Sequence, residues 1–300
     1  MTLRQLATFL ELSRSGSVKL AAERLFITQP AVSAVIASLQ RELGVELVAR
    51  EGRGLRLTPA GVVLAHYARR IRGTLDEAAV ATVGAGPGAR LRLGAVTTAG
   101  EHILPAAIAG FRSAHPGTEV SVEVANREHV WERLEAHEVD LVVGGRPPDQ
   151  RGLMTCARRP HELVVVAAPG TAPPGSLRAL AASTWLLREN GSGTRATVEQ
   201  YLEEHGLAPS TLTLGSNGAV REAVAVGLGI TLISRDAVAA ELAGGRLVEV
   251  DAPAMPMRRD WHVVTRDEGP LPGAGALFLD HLIASSGFVL ATSVTPPAAP

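Results

Sequence analysis

Residues 24–39 read RLFITQPAVSAVIASL, and this stretch decides the fold at the start of the chain. Apolar residues repeat at helical spacing on both sides of Thr28-Gln29-Pro30, which predicts two helices joined by a short connection. Thr28 is a natural N-cap, because its hydroxyl can accept a backbone N–H of the next turn. Pro30 falls in the first turn, where its missing N–H is harmless. Two short helices joined so tightly must cross steeply, as in a helix-turn-helix.

The face of the second helix opposite its apolar stripe carries small, nearly uncharged residues. They are Pro30, Ser33, Ala34, Ala37, Ser38 and Arg41. A solvated helix usually carries Glu and Lys on this face, so small residues indicate a close partner. The major groove of DNA fits, because Gln29 and Ser33 can hydrogen-bond base edges while Ala34 can contact thymine methyl groups. A helix packed against another protein domain would show the same pattern, and the residues leave that alternative open.

A hairpin and a long helix are expected next. Residues 45–58, VELVAREGRGLRLT, predict two short strands around Gly52-Arg53-Gly54. Arg50, Arg53 and Arg56 would form a basic wing, suited to phosphates or to the minor groove. In the following helix a coiled-coil seam is predicted at Leu64, Ala68, Ile71, Leu75, Ala78 and Thr82. Such a seam predicts a dimer on a two-fold related site, and burial against the chain's own body is the alternative.

Composition and charge narrow the class of protein. The first 90 residues hold 12 basic and 7 acidic side chains, while the remaining 210 hold 17 and 23. A basic N-terminal segment followed by an acidic remainder suggests that only the N-terminal segment binds a polyanion. The single cysteine, Cys156, favours a reducing compartment, and no uninterrupted apolar run reaches the roughly 20 residues that span a bilayer. We therefore expect a cytoplasmic protein without a membrane partner.

The residues from Ala21 to Gly61 carry a specific resemblance. They read AAERLFITQPAVSAVIASLQRELGVELVAREGRGLRLTPAG, and with this order of motifs the chain resembles the LysR-type transcriptional regulators over nearly its whole length. The resemblance implies a helix-rich winged helix-turn-helix domain at 1–58 that binds double-stranded promoter DNA. It also implies a linker and dimerisation helix at 59–83, in a family that is often tetrameric.

The expected DNA contacts combine the residue pattern with this resemblance. They are Thr28, Gln29, Pro30, Ser33, Ala34, Ser38, Arg50, Arg53 and Arg56. Many relatives carry Arg or Lys after the helix serine, where this chain has Ala34. Base readout is therefore expected to depend on Gln29, Ser33 and the wing arginines.

The rest of the chain is predicted to form an α/β domain. After a Gly-rich hinge at 84–89, short β-like runs alternate with helical patterns, which predicts open α/β sheets with ligands at the carboxyl ends of strands. The resemblance implies a domain similar to periplasmic binding proteins, with one subdomain at 90–160 and 267–290 and the other at 161–266. The crossovers are expected near Ala157–His161 and Thr265–Glu268. The tail at 291–300 is expected to be disordered.

Small polar residues recur where predicted strands end, and they suggest the ligand. The candidate effector-binding residues are Thr97, Thr98, Gly145, Arg146, Ser192, Gly193, Thr194 and Asn217. Hydroxyls, amides and backbone N–H groups at helix starts are the ingredients of an anion site. Each loop taken singly could be a plain helix cap. Taken together, and in the cleft where the family places its effector, they predict a small anionic metabolite.

Residues 126–148, NREHVWERLEAHEVDLVVGGRPP, resemble the branch that includes regulators of carbon fixation and of cysteine synthesis. That resemblance implies an effector such as a sugar phosphate, a nicotinamide dinucleotide or a sulfur-pathway anion. No metal-ligand spacing or nucleophile motif is present, so neither an enzyme nor a bound cofactor is expected. A solute-binding protein of a transport system, using the same cleft, is the alternative function.

Overall fold

The computed structural model describes residues 1–52, 54–83, 89–148, 152–173, 175–267, 271 and 273–291. Two compact units divide them: the first is Met1–Val83 together with Glu135–Glu138, and the second is the remainder. Several predicted features lie outside the described residues, namely Arg53, hinge residues 84–88, Glu268 and tail residues 292–300.

The first unit is built from helices and one hairpin. Its elements are α1 (Leu3–Ser15), α2 (Val18–Leu25), α3 (Gln29–Leu43), β1 (Val48–Glu51), β2 (Gly54–Leu57) and α4 (Pro59–Val83). Helix α1 was not predicted from the sequence, although Thr2 and Gln5 form a capping box at its start. Its buried Leu6, Phe9 and Leu10 show the spacing that could have revealed it, and Phe9 is fully buried in the core.

The predicted helix-turn-helix is confirmed. The axes of α2 and α3 differ by 108°, within the range of this motif. The Thr28 hydroxyl accepts from the backbone N–H of Ala31, and Pro30 lies in the first turn of α3. Among the described residues no single helix is long and apolar enough to cross a membrane, and α2 with α3 passes that test only as this bent pair.

The hairpin is present as predicted, but the seam of α4 needs a correction. The antiparallel pairing of β1 with β2 sets Arg50 opposite Leu55. In α4, Leu64 is half-buried and Ala68 buried, because both pack into the core of the first unit. The exposed apolar stripe over these turns is instead Val63 and Tyr67, continuing into Ile71 and Leu75. The first two predicted seam residues, Leu64 and Ala68, thus pack into the core of their own unit and are not available for a dimer contact.

The second unit is an α/β body around one large sheet. Its strands are β3 (Arg90–Val96), β4 (Glu119–Ala125), β5 (Leu141–Gly144), β6 (Leu153–Ala167), β7 (Trp185–Leu187), β8 (Thr211–Thr213), β9 (Thr231–Ser234), β10 (Val248–Glu249), β11 (Met257–Arg266) and β12 (Val289–Leu290). Its helices are α5 (Thr97–His102), α6 (Leu104–Ala114), α7 (Arg127–Glu135), α8 (Leu177–Ala182), α9 (Gly193–Glu204), α10 (Asn217–Ala225), α11 (Arg235–Ala243) and α12 (Gly273–Ser285). Eight of these strands form the large sheet, whose main path runs β10-β6-β11-β5-β3-β4 with β9 and β12 also paired to β6, while β7 and β8 form a separate two-stranded sheet.

Two long antiparallel strands, β6 and β11, connect the two halves of this body. The first half contains β3, β4 and β5, and the second contains β7, β8, β9 and β10. Their pairing runs from Leu153 opposite Arg266 to Leu163 opposite Met257. Beyond that pairing, β6 continues along β9 and β10 and so enters the second half. Residues 157–161, where the first crossover is expected, therefore lie within one continuous strand, because β11 supplies their hydrogen-bond partners.

The return strand pairs with this segment at an earlier point than the predicted Thr265–Glu268. The residues of β11 opposite 157–161 are 259–263, so the chain crosses back before Thr265. Helix bounds differ more locally. The helical patterns in the sequence predict helices over 103–114 and 127–137. The first is preceded by α5, which begins at Thr97, and the second, α7, ends at Glu135 because His137 is left-handed with φ 56°. Helices α8 and α12 were not predicted.

Candidate functional sites

The outer face of α3 lies open on the first unit. Thr28, Gln29, Pro30, Ser33 and Ala34 are all exposed, as the sequence pattern required. Ser38 differs, because it is half-buried and its hydroxyl accepts from the side-chain amide of Gln5 at 3.3 Å. The small side chains leave the backbone of α3 accessible along this face, which is the form that fits a major groove.

Local hydrogen bonds fix the wing to α3. The side-chain oxygen of Gln40 accepts from the backbone N–H groups of Leu47 at 2.9 Å and Val48 at 3.4 Å. The hydroxyl of Thr58 donates to the carbonyl of Glu46 at 2.6 Å and accepts from the N–H of Gly61 at 3.0 Å. The role of Gln40 was not predicted, because no local sequence pattern indicates a side-chain hydrogen bond to a backbone N–H seven residues later in the chain.

The two wing cations that the structure describes are exposed. Arg50 is exposed on β1, and Arg56 on β2 lies 3.8 Å from the carboxylate of Glu51, a separation typical of a weak surface pair. The outer face of α3 and the wing thus offer hydrogen-bonding groups and positive charge to a partner.

A cavity of about 660 Å³ lies between the two halves of the second unit. The ends of β3 and β5, the starts of α7 and α9, and the crossing parts of β6 and β11 contribute to its walls. Cavities of this size accommodate small metabolites. The cavity is therefore located where the sequence analysis expected the effector cleft.

All predicted effector residues except Asn217 line this cavity: Thr97, Thr98, Gly145, Arg146, Ser192, Gly193 and Thr194. Ser192 also caps α9 by accepting from the N–H of Arg195, whereas within the described chain the N-cap of α5, Val96, makes no side-chain capping hydrogen bond. Asn217 corrects the prediction. It is 0% exposed and does not line the cavity, because its side chain packs behind the lining residues Thr98 and Arg188.

Arginines dominate the charge of the cavity. Arg127, Arg146, Arg158, Arg188 and Arg259 line it, against the carboxylates of Glu189 and Asp260. Arg188 is paired with Glu189 by two contacts of 2.7 and 2.8 Å. Partial burial lowers the pKa of Arg259, and the positive charge of Arg127 lowers it further. The excess of cations predicts that an anion is the favoured occupant.

Arg158 differs from the other lining arginines in having a buried side-chain nitrogen that is left unpaired by the described residues. Its Nε is buried, and among the described residues it has no hydrogen-bond partner. Leaving a donor on a charged group unpaired is unfavourable unless a ligand or water completes it. Arg158 was not predicted from the sequence because it lies within β6, and its placement beside His262 depends on the pairing of β6 with β11.

A stacked aromatic pair forms another part of the wall. The rings of His161 and Trp261 lie 4.2 Å apart at 15°, and the indole Nε1 of Trp261 donates to Asp236 at 3.0 Å. Burial lowers the pKa of His161 to about 4; Arg259 and Arg159 act in the same direction and Asp236 opposes them. His161 is therefore neutral at pH 7. It offers a neutral polar group beside an aromatic surface, where the carbon skeleton of a ligand can pack.

The chemistry available in the cavity is recognition. Guanidinium groups and hydroxyls converge there, and both bind phosphate or carboxylate oxygens. Among the described residues no group of three or more His, Cys, Asp or Glu side chains is placed to hold a metal ion.

Comparison with known proteins matches both units. The sequence fits the description "Bacterial regulatory helix-turn-helix protein, lysR family" over residues 3–62 and "LysR substrate binding domain" over residues 84–286. It is 37% identical over 271 residues to the HTH-type transcriptional regulator CbbR of Rhodospirillum rubrum, covering 88% of this chain and 90% of that protein. It is 36% identical over 285 residues to the RuBisCO operon transcriptional regulator of Allochromatium vinosum, covering 92% and 94%.

One similar solved structure contains a ligand. The Synechocystis PCC6803 CcmR regulatory domain in complex with 2-PG is 33% identical to this chain, with a TM-score of 0.60. The match covers 65% of this chain and 96% of that domain.

Proposed function

The chain belongs to the LysR family of bacterial transcriptional regulators, and on that premise we propose that its cavity binds a small phosphorylated or carboxylated anion that controls DNA binding by the first unit. The observation that carries this proposal is the set of arginines around one cavity, together with a buried nitrogen on Arg158 that has no partner in the described ranges. The 2-PG held by the CcmR regulatory domain is a small anion of this kind.

The relatives extend the proposal to the regulated genes and the cell. Similarity to a RuBisCO operon regulator supports genes of carbon fixation as targets. A protein that acts on promoter DNA works in the cytoplasm, and recognition without turnover would make this chain a regulator rather than an enzyme. The similarity to regulators spans the first unit as well as the second, so the transport alternative has no support.

Calorimetry on the full-length protein with 2-PG and with inorganic phosphate tests the cavity. We expect saturable binding, and we expect Arg158→Gln to weaken it by about tenfold to a hundredfold, since a hydrogen bond to a charged group contributes about 1.5–3 kcal/mol. Arg112→Gln removes the same charge from the exposed face of α6, away from the cavity, and should leave affinity unchanged. Wild-type protein that binds neither probe would overturn the proposed effector class.

DNA reading is proposed for the exposed face of α3 and the wing. Thr28, Gln29, Pro30, Ser33 and Ala34 would enter the major groove, with Ser38 at its margin. Arg50 and Arg56 would contact the sugar-phosphate backbone. The exposed apolar stripe of α4, from Val63 to Leu75, supports a homodimer through this helix, and two dimers would form the tetramer.

Gln29→Ala should weaken binding to the cognate site by about 1–3 kcal/mol and relax base preference at one position, because a paired base edge loses its partner. Binding would be measured by fluorescence anisotropy on a footprinted site and on random DNA. Arg50→Ala is the matched contrast, since losing a phosphate contact weakens both DNAs and reduces the salt slope by about one unit. Equal losses for Gln29→Ala on both DNAs would contradict base readout.

A further inference from the structure

Asn217 joins the two halves of the second unit behind the cavity wall. Its Nδ2 donates to the hydroxyl of Thr98 at 3.0 Å and lies 3.4 Å from a carboxylate oxygen of Glu101. Its Oδ1 accepts from Nη1 of Arg188. Thr98 and Arg188 both line the cavity and are 6% and 5% exposed, so the amide links two wall residues that come from opposite halves.

The partners determine which way this amide points. A guanidinium can only donate, so the group facing Arg188 must be the amide oxygen. An ionised carboxylate can only accept, so the amino group must lie toward Glu101, and therefore also toward Thr98. A flipped amide would set like groups against each other at both ends of its side chain.

The role of the Thr98 hydroxyl follows from this orientation. The hydroxyl already accepts a hydrogen bond from Asn217. No hydrogen bond donated by Thr98 to an acceptor is found within the described part of the chain. Its proton is therefore left for whatever occupies the cavity, and a hydroxyl that accepts one hydrogen bond becomes a stronger donor for the next.

We propose that Asn217 is a positioning residue that commits the Thr98 hydroxyl to donating its proton into the cavity, and so selects an acceptor-rich anion. This rests on the proposed function of the cavity as an anion site. It also couples occupancy to conformation, because Thr98 belongs to one half of the second unit and Asn217 to the other. An anion that accepts a hydrogen bond from the Thr98 hydroxyl favours the arrangement in which Asn217 joins the two halves.

The substitution Asn217→Asp tests the direction of this hydrogen bond with almost no change in shape. A carboxylate can pair with Arg188 but cannot donate to Thr98, so the hydroxyl would turn its proton toward the carboxylate and present lone pairs to the cavity. Glu101 is 39% exposed at its side chain and can rotate away from the new charge. We expect the full-length variant to keep its melting temperature and to bind 2-PG or inorganic phosphate about tenfold more weakly.

A double-mutant cycle separates this role from simple charge repulsion. Thr98→Val should weaken anion binding about tenfold in the native background. In the Asn217→Asp background it should weaken binding less than twofold, because there the Thr98 hydroxyl already donates to the aspartate and not to the anion. Asn126→Asp is the matched control: Asn126 lines the cavity, accepts from the N–H of His129 at 3.0 Å as an aspartate also would, and gains the same charge. In that background Thr98→Val should keep its full effect.

The outcomes discriminate between the two proposals. Unchanged affinity in Asn217→Asp, or a tenfold loss from Thr98→Val that persists in that background, would overturn the positioning role while leaving the anion site intact. Wild-type protein that binds neither probe would overturn the anion site, and the positioning role with it.

Discussion

Replacing Asp140 with alanine is expected to lower the free energy of unfolding of the second unit by about 3–5 kcal/mol. Asp140 precedes β5, and its carboxylate accepts three hydrogen bonds from Arg92: from the backbone N–H at 2.8 Å, from Nε at 3.2 Å and from Nη2 at 2.6 Å. The side chains of Asp140 and Arg92 are only 4% and 14% exposed. Removing the carboxylate therefore takes two hydrogen bonds from a buried guanidinium and one from a backbone N–H.

Tryptophan fluorescence during urea denaturation measures this loss, because Trp131, Trp185 and Trp261 all belong to the second unit. Asp140→Asn keeps the shape and one acceptor oxygen, so an intermediate loss is expected. Asp280→Ala is the control, since Asp280 is exposed on α12 and its truncation should change stability by no more than about 0.5 kcal/mol. A loss below about 1 kcal/mol for Asp140→Ala would mean that water replaces the carboxylate and that the pair contributes little.

Gly61→Ala should abolish stable DNA binding by displacing the wing. A Cβ at this position would lie 2.0 Å from the carbonyl oxygen of Leu47, which directly precedes β1. The obstacle is backbone, so neither partner can turn away, and either α4 or the wing must shift. Overpacking of this kind costs about 3 kcal/mol, a large share of the stability of a small unit.

Two measurements on the full-length variant check this expectation: thermal unfolding by circular dichroism and anisotropy with DNA from upstream of its own gene. Gly44→Ala is the graded control. Gly44 has open space around it but φ +71°, so strain of about 1–2 kcal/mol is expected without a clash and with the wing in place. If both variants bound DNA equally well, the close approach of α4 to Leu47 would not be what positions the wing.

The features that the sequence by itself determined are local ones. The start of α3 depends on Thr28, Pro30 and the N–H of Ala31, all within four residues, so the cap can be recognised without knowing the fold. The hairpin follows from a turn flanked by apolar alternation. Small polar loops after strands were informative for the same reason, since a parallel α/β body brings strand ends to one edge. Thr97, Thr98 and Ser192 lie on the cavity as a result.

The tertiary structure alone decided which residues meet across long separations. Arg158 faces the cavity beside His262 because β6 and β11 pair in one register, and no short stretch encodes a contact between positions 104 residues apart. Asn217 carries the polar character that suggested a ligand contact, yet α10 buries it against Thr98 and Arg188. Leu64 and Ala68 have the spacing of a dimer seam, but the core of the first unit covers them. Periodicity shows that a face will be buried, whereas long-range packing determines which surface buries it.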